Sequence, residues 1–171
     1  MLQLSEFLQN RQVLSLRTGG PVATAVGPII NPNNLKIEGF YCQDRFENKE
    51  LILLTQDIRE TLQDGFVVDD HERLAEPEEL VRLKDILELR FDLIGKQVET
   101  VEHHKVGKVS DYAVETGSLI IMKLYASQSI LKNFTGGSLS IDRTQIQEIT
   151  PRRIIISEIL KGTPATVPSV A

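Results

Sequence analysis

Residues 105–126, KVGKVSDYAVETGSLIIMKLYA, read as one β-hairpin, and the chain contains that hairpin twice. Moved back by 84 positions, Val106, Leu119, Ile121 and Tyr125 fall on Val22, Leu35, Ile37 and Tyr41, and Thr116-Gly117-Ser118 falls on Pro32-Asn33-Asn34. Upstream the offset is 85, placing Leu93, Gln97 and Val98 on Leu8, Gln12 and Val13; one extra residue in the turn Thr18-Gly19-Gly20-Pro21 accounts for the change. Downstream the register loosens, with Gln56-Asp57-Ile58 and Phe66-Val67-Val68 mirrored by Thr144-Gln145-Ile146 and Ile154-Ile155-Ile156. Copies of about 80 residues are too long for solenoid repeats and suit two small domains.

The strands follow from alternation and turn chemistry. Residues 12–16, 22–30, 35–42, 50–54 and 66–68 are the strands expected in the first copy, with a helical turn at 4–8 begun by Ser5 and another at 57–62. Leu35, Ile37 and Tyr41 share one face of their strand while Lys36 and Glu38 share the other, which makes the second face wet. The second copy is expected to have strands at 97–101, 105–115, 119–126, 129–134, 139–141 and 154–159, with a helical turn at 144–148. Between the copies, residues 76–89 predict a helix. Pro77 suits a first turn, Glu76, Glu78 and Glu79 complement the positive end of a helix dipole, and Leu80, Leu83 and Leu87 form an apolar stripe that should pack on a barrel. The expected organisation is a first module at 1–75, a linking helix at 76–91, a second module at 92–160 and a Pro-containing tail at 161–171.

Composition narrows the class. Hydrophobic residues make up 41% and charged residues 25%, and no apolar run approaches the ~20 residues of a membrane span. The opening Met1-Leu2-Gln3-Leu4-Ser5-Glu6 lacks the basic and apolar regions of a secretory signal, so a cytoplasmic protein with no membrane insertion is expected. Cys42 is the single cysteine; it excludes an internal disulfide and reads as a buried, inert thiol. Residues 1–92 carry 10 Lys and Arg against 17 Asp and Glu, a balance of -7, whereas residues 93–171 carry 9 against 7, a balance of +2. The first copy should repel nucleic acid, and the second is too weakly basic to require it.

The second copy, through Leu93-Ile94-Gly95-Lys96-Gln97-Val98, then Val106-Gly107-Lys108-Val109-Ser110-Asp111, then Glu115-Thr116-Gly117-Ser118-Leu119, resembles the PRC-barrel domain family. That small β-barrel is found in the cytoplasmic part of the photosynthetic reaction-centre H subunit and in the C-terminal domain of a ribosome maturation factor. The first copy is similar but departs from the pattern, with Ala23-Thr24-Ala25 where the family has Gly-Lys-Val and Asn31-Pro32-Asn33-Asn34 in place of an Asp-rich hairpin. The resemblance spans about nine-tenths of the chain. It implies a mainly β protein of two tandem PRC-type barrels acting as a non-enzymatic docking or assembly module, with no shared catalytic set.

The remaining constellations read as ordinary surface. Adjacent strand residues face opposite ways, so His103 and His104, with His71 elsewhere, are expected as solvated turn residues and not as a metal site. Asp69, Asp70, Glu72, Glu76, Glu78 and Glu79 lack the central Gly and closing Glu of an EF-hand loop. No phosphate-loop, nucleophile-elbow or His-Glu-x-x-His motif is present, so no catalytic residues, metal or cofactor are expected. Arg152 and Arg153, with Lys132 and Arg143, are the candidate RNA contacts, although three Tyr, six Phe and no Trp leave little for base stacking.

Comparison of the copies supplies one further signal. Lys36 and Glu38 of the first hairpin align with Ile120 and Met122 of the second, so an outward face has become apolar and calls for a cover. Ile120 and Met122 are the candidate interaction surface, covered either within the chain or by a partner. The expected function is a protein-binding scaffold or adaptor that self-associates as a homo-oligomer, the alternative being an RNA-processing or ribosome-maturation accessory acting through the second barrel.

Overall fold

A computed structural model of the chain describes residues 1–127 and 138–158. The described residues are mainly β, with 51% in strands against 17% helical. The strands are β1 (Leu2–Leu4), β2 (Arg11–Ser15), β3 (Pro21–Asn31), β4 (Lys36–Asp44), β5 (Glu50–Leu54), β6 (Glu60–Thr61), β7 (Gly65–Val68), β8 (Gln97–Thr100), β9 (Lys105–Glu115), β10 (Ile120–Ser127), β11 (Ser138–Asp142), β12 (Ile146–Ile149) and β13 (Arg153–Ile156). The chain divides into two compact units, Glu6–Phe91 and Met1–Ser5 with Asp92–Ala171.

Each unit repeats one strand order. In the first, the hydrogen-bonded sequence is β5-β4-β3-β2-β7-β6, antiparallel except for the parallel pair β2 and β7, in which Gln12 lies opposite Gly65. In the second it is β11-β10-β9-β8-β13-β12, antiparallel except for the parallel pair β8 and β13, in which Gln97 lies opposite Arg153. The first strand of each copy thus runs parallel to the last. The turns repeat as well. Leu35 and Leu119, which the 84-residue offset superposes, both adopt left-handed backbone, at φ 57° and φ 54°. Their N–H groups donate to Asn31 O and Glu115 O, each at 2.8 Å. Left-handed backbone is uncommon for a bulky residue, so its recurrence marks the same turn built twice.

Several details differ from the sequence reading. Among the described residues the end strands of each order do not pair with one another, so neither order closes into a barrel. Two short strands, β6 and β12, follow 3-10 turns at Thr55–Asp57 and Arg143–Gln145 where longer helical turns were expected. Leu35 precedes its strand as the left-handed turn residue and does not open it. Leu2–Leu4 forms a strand on β9, with Gln3 opposite Val114, and the Ser5 hydroxyl donates to Asp111 Oδ1 at 2.6 Å instead of capping its own turn. The strand expected at 129–134 and the tail at 161–171 lie outside the described residues.

The expected helix over 76–89 is broken. Pro77–Glu79 and Val81–Leu83 are 3-10 turns, and only α1 (Lys84–Leu89) is α-helical. Leu80, at φ -96° and ψ 68°, interrupts the run. The apolar spacing Leu80, Leu83, Ile86 is a repeat of three, which keeps one face in a 3-10 helix as well as in an α-helix. Those side chains and Leu87 pack on Ile29, Tyr41, Ile52 and Leu54 of β3, β4 and β5, and the Tyr41 hydroxyl donates to Leu87 O at 3.1 Å. The stripe is therefore consumed inside the first unit.

The cores follow the alternation. Val13, Ile37, Phe40, Leu53 and Phe66 are buried in the first unit, and Val98, Val109, Ile121, Leu124, Ile141 and Ile154 in the second. Leu119 is only half-buried because its left-handed turn position holds it at the hairpin end.

Candidate functional site

Three strands of the second unit meet at Gln97. Lys108 of β9 lies across from it on one side and Arg153 of β13 on the other. Residues directly opposite in neighbouring strands project from the same face, so the three side chains share one surface. Two turns complete the surroundings. In the turn Thr150-Pro151-Arg152-Arg153, Thr150 N–H donates to Arg153 O at 2.9 Å, and Thr150 Oγ1 accepts from Arg153 N–H at 3.0 Å. In the loop before β8, Gly95 at φ 88° takes a backbone conformation that a side chain would strain, which brings its N–H onto Val109 O at 2.8 Å. Lys96 Nζ then donates to Pro151 O at 2.8 Å and ties the loop to the turn.

The result is an open groove of about 570 Å³ lined by Ile94, Gly95, Lys96, Gln97, Lys108, Pro151, Arg152 and Arg153. Four of its lining residues are cations and none is an acid. Arg153 is held from behind by Glu99, Nη1 to Oε1 at 2.9 Å, and this contact draws the Glu99 carboxyl below its ordinary range despite partial desolvation. Lys108 and Arg152 have no ion pair among the described residues. The arrangement can attract and hold an anion.

The expected RNA contacts separate on this frame. Arg152 and Arg153 line the groove. Arg143 does not; it opens the 3-10 turn capped by Asp142, and its Nη1 is buried without a hydrogen-bond partner. Lys132 lies outside the described residues. Sequence reasoning missed Lys96 and Lys108 as site residues, although both follow a glycine in the pair Gly95-Lys96 and Gly107-Lys108. Ile120 and Met122 are half-buried and flank the fully buried Ile121 on β10. The β9–β10 register shifts between Ile121 and Lys123, so Met122 sits at an irregularity in the ladder.

The other titratable groups are engaged structurally. His71 Nε2 lies 2.7 Å from Asp44 Oδ1, while His103 and His104 are exposed and lie 3.7 Å from Glu99 and 3.5 Å from Glu158. Glu102, His104 and Glu158 approach within 4.8 Å of one another, all exposed, which is ordinary for surface carboxylates. Within the acidic segment, Asp69 pairs with Arg59 and Arg73, Asp70 with Arg17, and Glu76 with Lys49. Cys42 is buried and its thiol is pushed up to about 12 by desolvation, leaving no thiolate near neutrality. Among the described residues no helix is long and apolar enough to cross a membrane. No protein-family model matches the chain, and no curated protein matches it significantly.

Proposed function

We propose that the chain is a non-catalytic binding protein of two tandem PRC-barrel-like modules, a cytoplasmic scaffold or adaptor that docks another protein and self-associates. The observation that supports this reading is the repeated strand order, in which the same backbone ladders recur in both copies and the faces and loops are left to differ between them. Register shifts in the long β3–β4 and β9–β10 pairs support barrel-like curling of the open sheets, because bulges increase local twist. The clearest difference between copies is Ile120 and Met122 against Lys36 and Glu38. With Ile120→Lys and Met122→Glu together, the solution mass by light scattering is expected to fall to that of a monomer and captured protein partners to be lost, with the melting temperature as a check on folding. Unchanged mass and unchanged partners in a folded variant would sink the docking face.

A second reading, assistance to RNA or ribosome maturation through the second module, is favoured by one observation, the four-cation groove beside Gln97. Capture of partners from cell extract with and without ribonuclease separates the two. Proteins retained after treatment support the adaptor; ribosomal components lost on treatment support the RNA role.

A further inference from the structure

The groove beside Gln97 holds more information than its charge. Its cations differ in how they are held. Lys96 and Arg153 are fixed by Pro151 O and Glu99 Oε1, and Glu99, only 10% exposed, offsets part of the Arg153 charge. Lys108 and Arg152 face the groove uncompensated by any ion pair among the described residues. Two cations thus build the walls, and two are left to meet a ligand.

The lining also says what the ligand lacks. It contains no aromatic side chain, so nothing there can stack on a base. Ile94, 40% exposed, is its one large apolar residue. Both edges of β8 are occupied, by β9 and by β13, so an extended peptide would find no free strand to pair with and its backbone groups would gain nothing over water. A chain of phosphates has the opposite character: its charge lies outermost, it needs no backbone partner, and it suits both the point charge of a lysine and the planar fork of an arginine. At about 570 Å³ the groove has room for more than one phosphate group.

We propose that this groove binds adjoining phosphates, as in inorganic polyphosphate or the backbone of RNA, with Lys108 and Arg152 as the direct contacts and Lys96 and Arg153 as positioning residues. Recognition is of charge and spacing and is indifferent to base sequence. This deepens the second reading above, and the test distinguishes their failures.

The experiment is calorimetric titration of the full chain with sodium tripolyphosphate, with a single-stranded RNA oligomer and with oligoglutamate, at about 50 and about 200 mM salt. Tripolyphosphate is expected to bind and to weaken with salt. Lys108→Gln with Arg152→Gln should lower its affinity about tenfold or more, the effect of removing charge-assisted hydrogen bonds. Lys105→Gln, exposed and outside the groove, should stay within about twofold. The substituted side chains are exposed, and an unchanged melting temperature confirms that folding is intact. Tripolyphosphate bound without RNA upholds the groove and ends the RNA reading. RNA bound with no response to the double substitution overturns the groove and leaves the RNA reading to another surface. Failure of tripolyphosphate to bind at low salt, or oligoglutamate binding as tightly, overturns the proposal.

Discussion

At the scale of single residues, the first unit depends on a buried cation that local sequence does not distinguish. Arg11 is 5% exposed; its guanidinium donates to Phe7 O at 3.2 Å, to Gly65 O at 3.2 Å and to Leu62 O, and lies over the rings of Phe7 and Phe66. Burial lowers its pKa, opposed by the nearby Asp64, but an arginine keeps its charge at any ordinary pH. Arg11→Ala would strip three carbonyls of a charged donor and open a void, at a cost of about 3 kcal/mol. Urea denaturation would show this as a lowered midpoint, and a change within about 0.5 kcal/mol would contradict it. Arginine at a strand start normally reads as solvated surface. Only Phe7 is a near neighbour; Leu62 and Gly65 are 51 and 54 residues away, and it is their carbonyls, brought in by tertiary structure, that complete the burial.

At the scale of elements, the parallel pairs β2–β7 and β8–β13 recur in the two units, and the first of them is tight at Gly65. A Cβ on Gly65 would lie 2.5 Å from Gln12 O, a backbone atom that cannot move without disturbing the ladder. Gly65→Ala is expected to destabilise by about 1–3 kcal/mol, as overpacking does, whereas Gly27→Ala, with nothing within 4 Å, should stay within about 0.5 kcal/mol. Thermal unfolding of the two variants side by side measures the difference, and equal effects would refute the close approach. The hairpins were legible because alternation and turn residues are local signals. The parallel pairs were not, since a short run such as Gly65–Val68 carries no indication of which distant strand it joins. The stripe Leu80, Leu83 and Leu87 predicts one helix, but only Lys84–Leu89 is α-helical, because Leu80 and Leu83 are three apart, a spacing that a 3-10 turn keeps on one face as well.

Across the whole molecule, a set of carboxylates links folding to pH. Asp44 is desolvated, which alone would raise its pKa, but hydrogen bonds from His71 and from the N–H groups of Glu47 and Phe46 outweigh burial and lower it. Asp70, Glu99, Asp142 and Glu158 are lowered too, and Glu115 falls to about 2 through the Met1 ammonium and the Ser118 N–H. Folded values below the unfolded ones, about 3.9 for Asp and about 4.3 for Glu, mean that the unfolded chain binds more protons in this window. Their contribution is complete above the unfolded values and disappears as pH falls through the folded ones. The melting temperature is therefore expected to drop between about pH 5 and about pH 2. A flat profile over that range, followed by circular dichroism, would show that these contacts do not couple to folding.

What the sequence determined by itself is the β class, the duplication and the hairpins, because each rests on near neighbours: alternation for strands, Asn and Gly for turns, and a constant offset for the repeat. It also marked Arg152 and Arg153, because two adjacent cations are visible as a pair. Tertiary structure alone decided that they share a groove with Lys96 and Lys108. That site forms only when β8 pairs with β9 on one side and β13 on the other, joining residues 97, 108 and 153 on one face. The register that joins them is set by burial of the opposite, apolar positions, Val98, Val109 and Ile154, and not by any preference of the cations themselves.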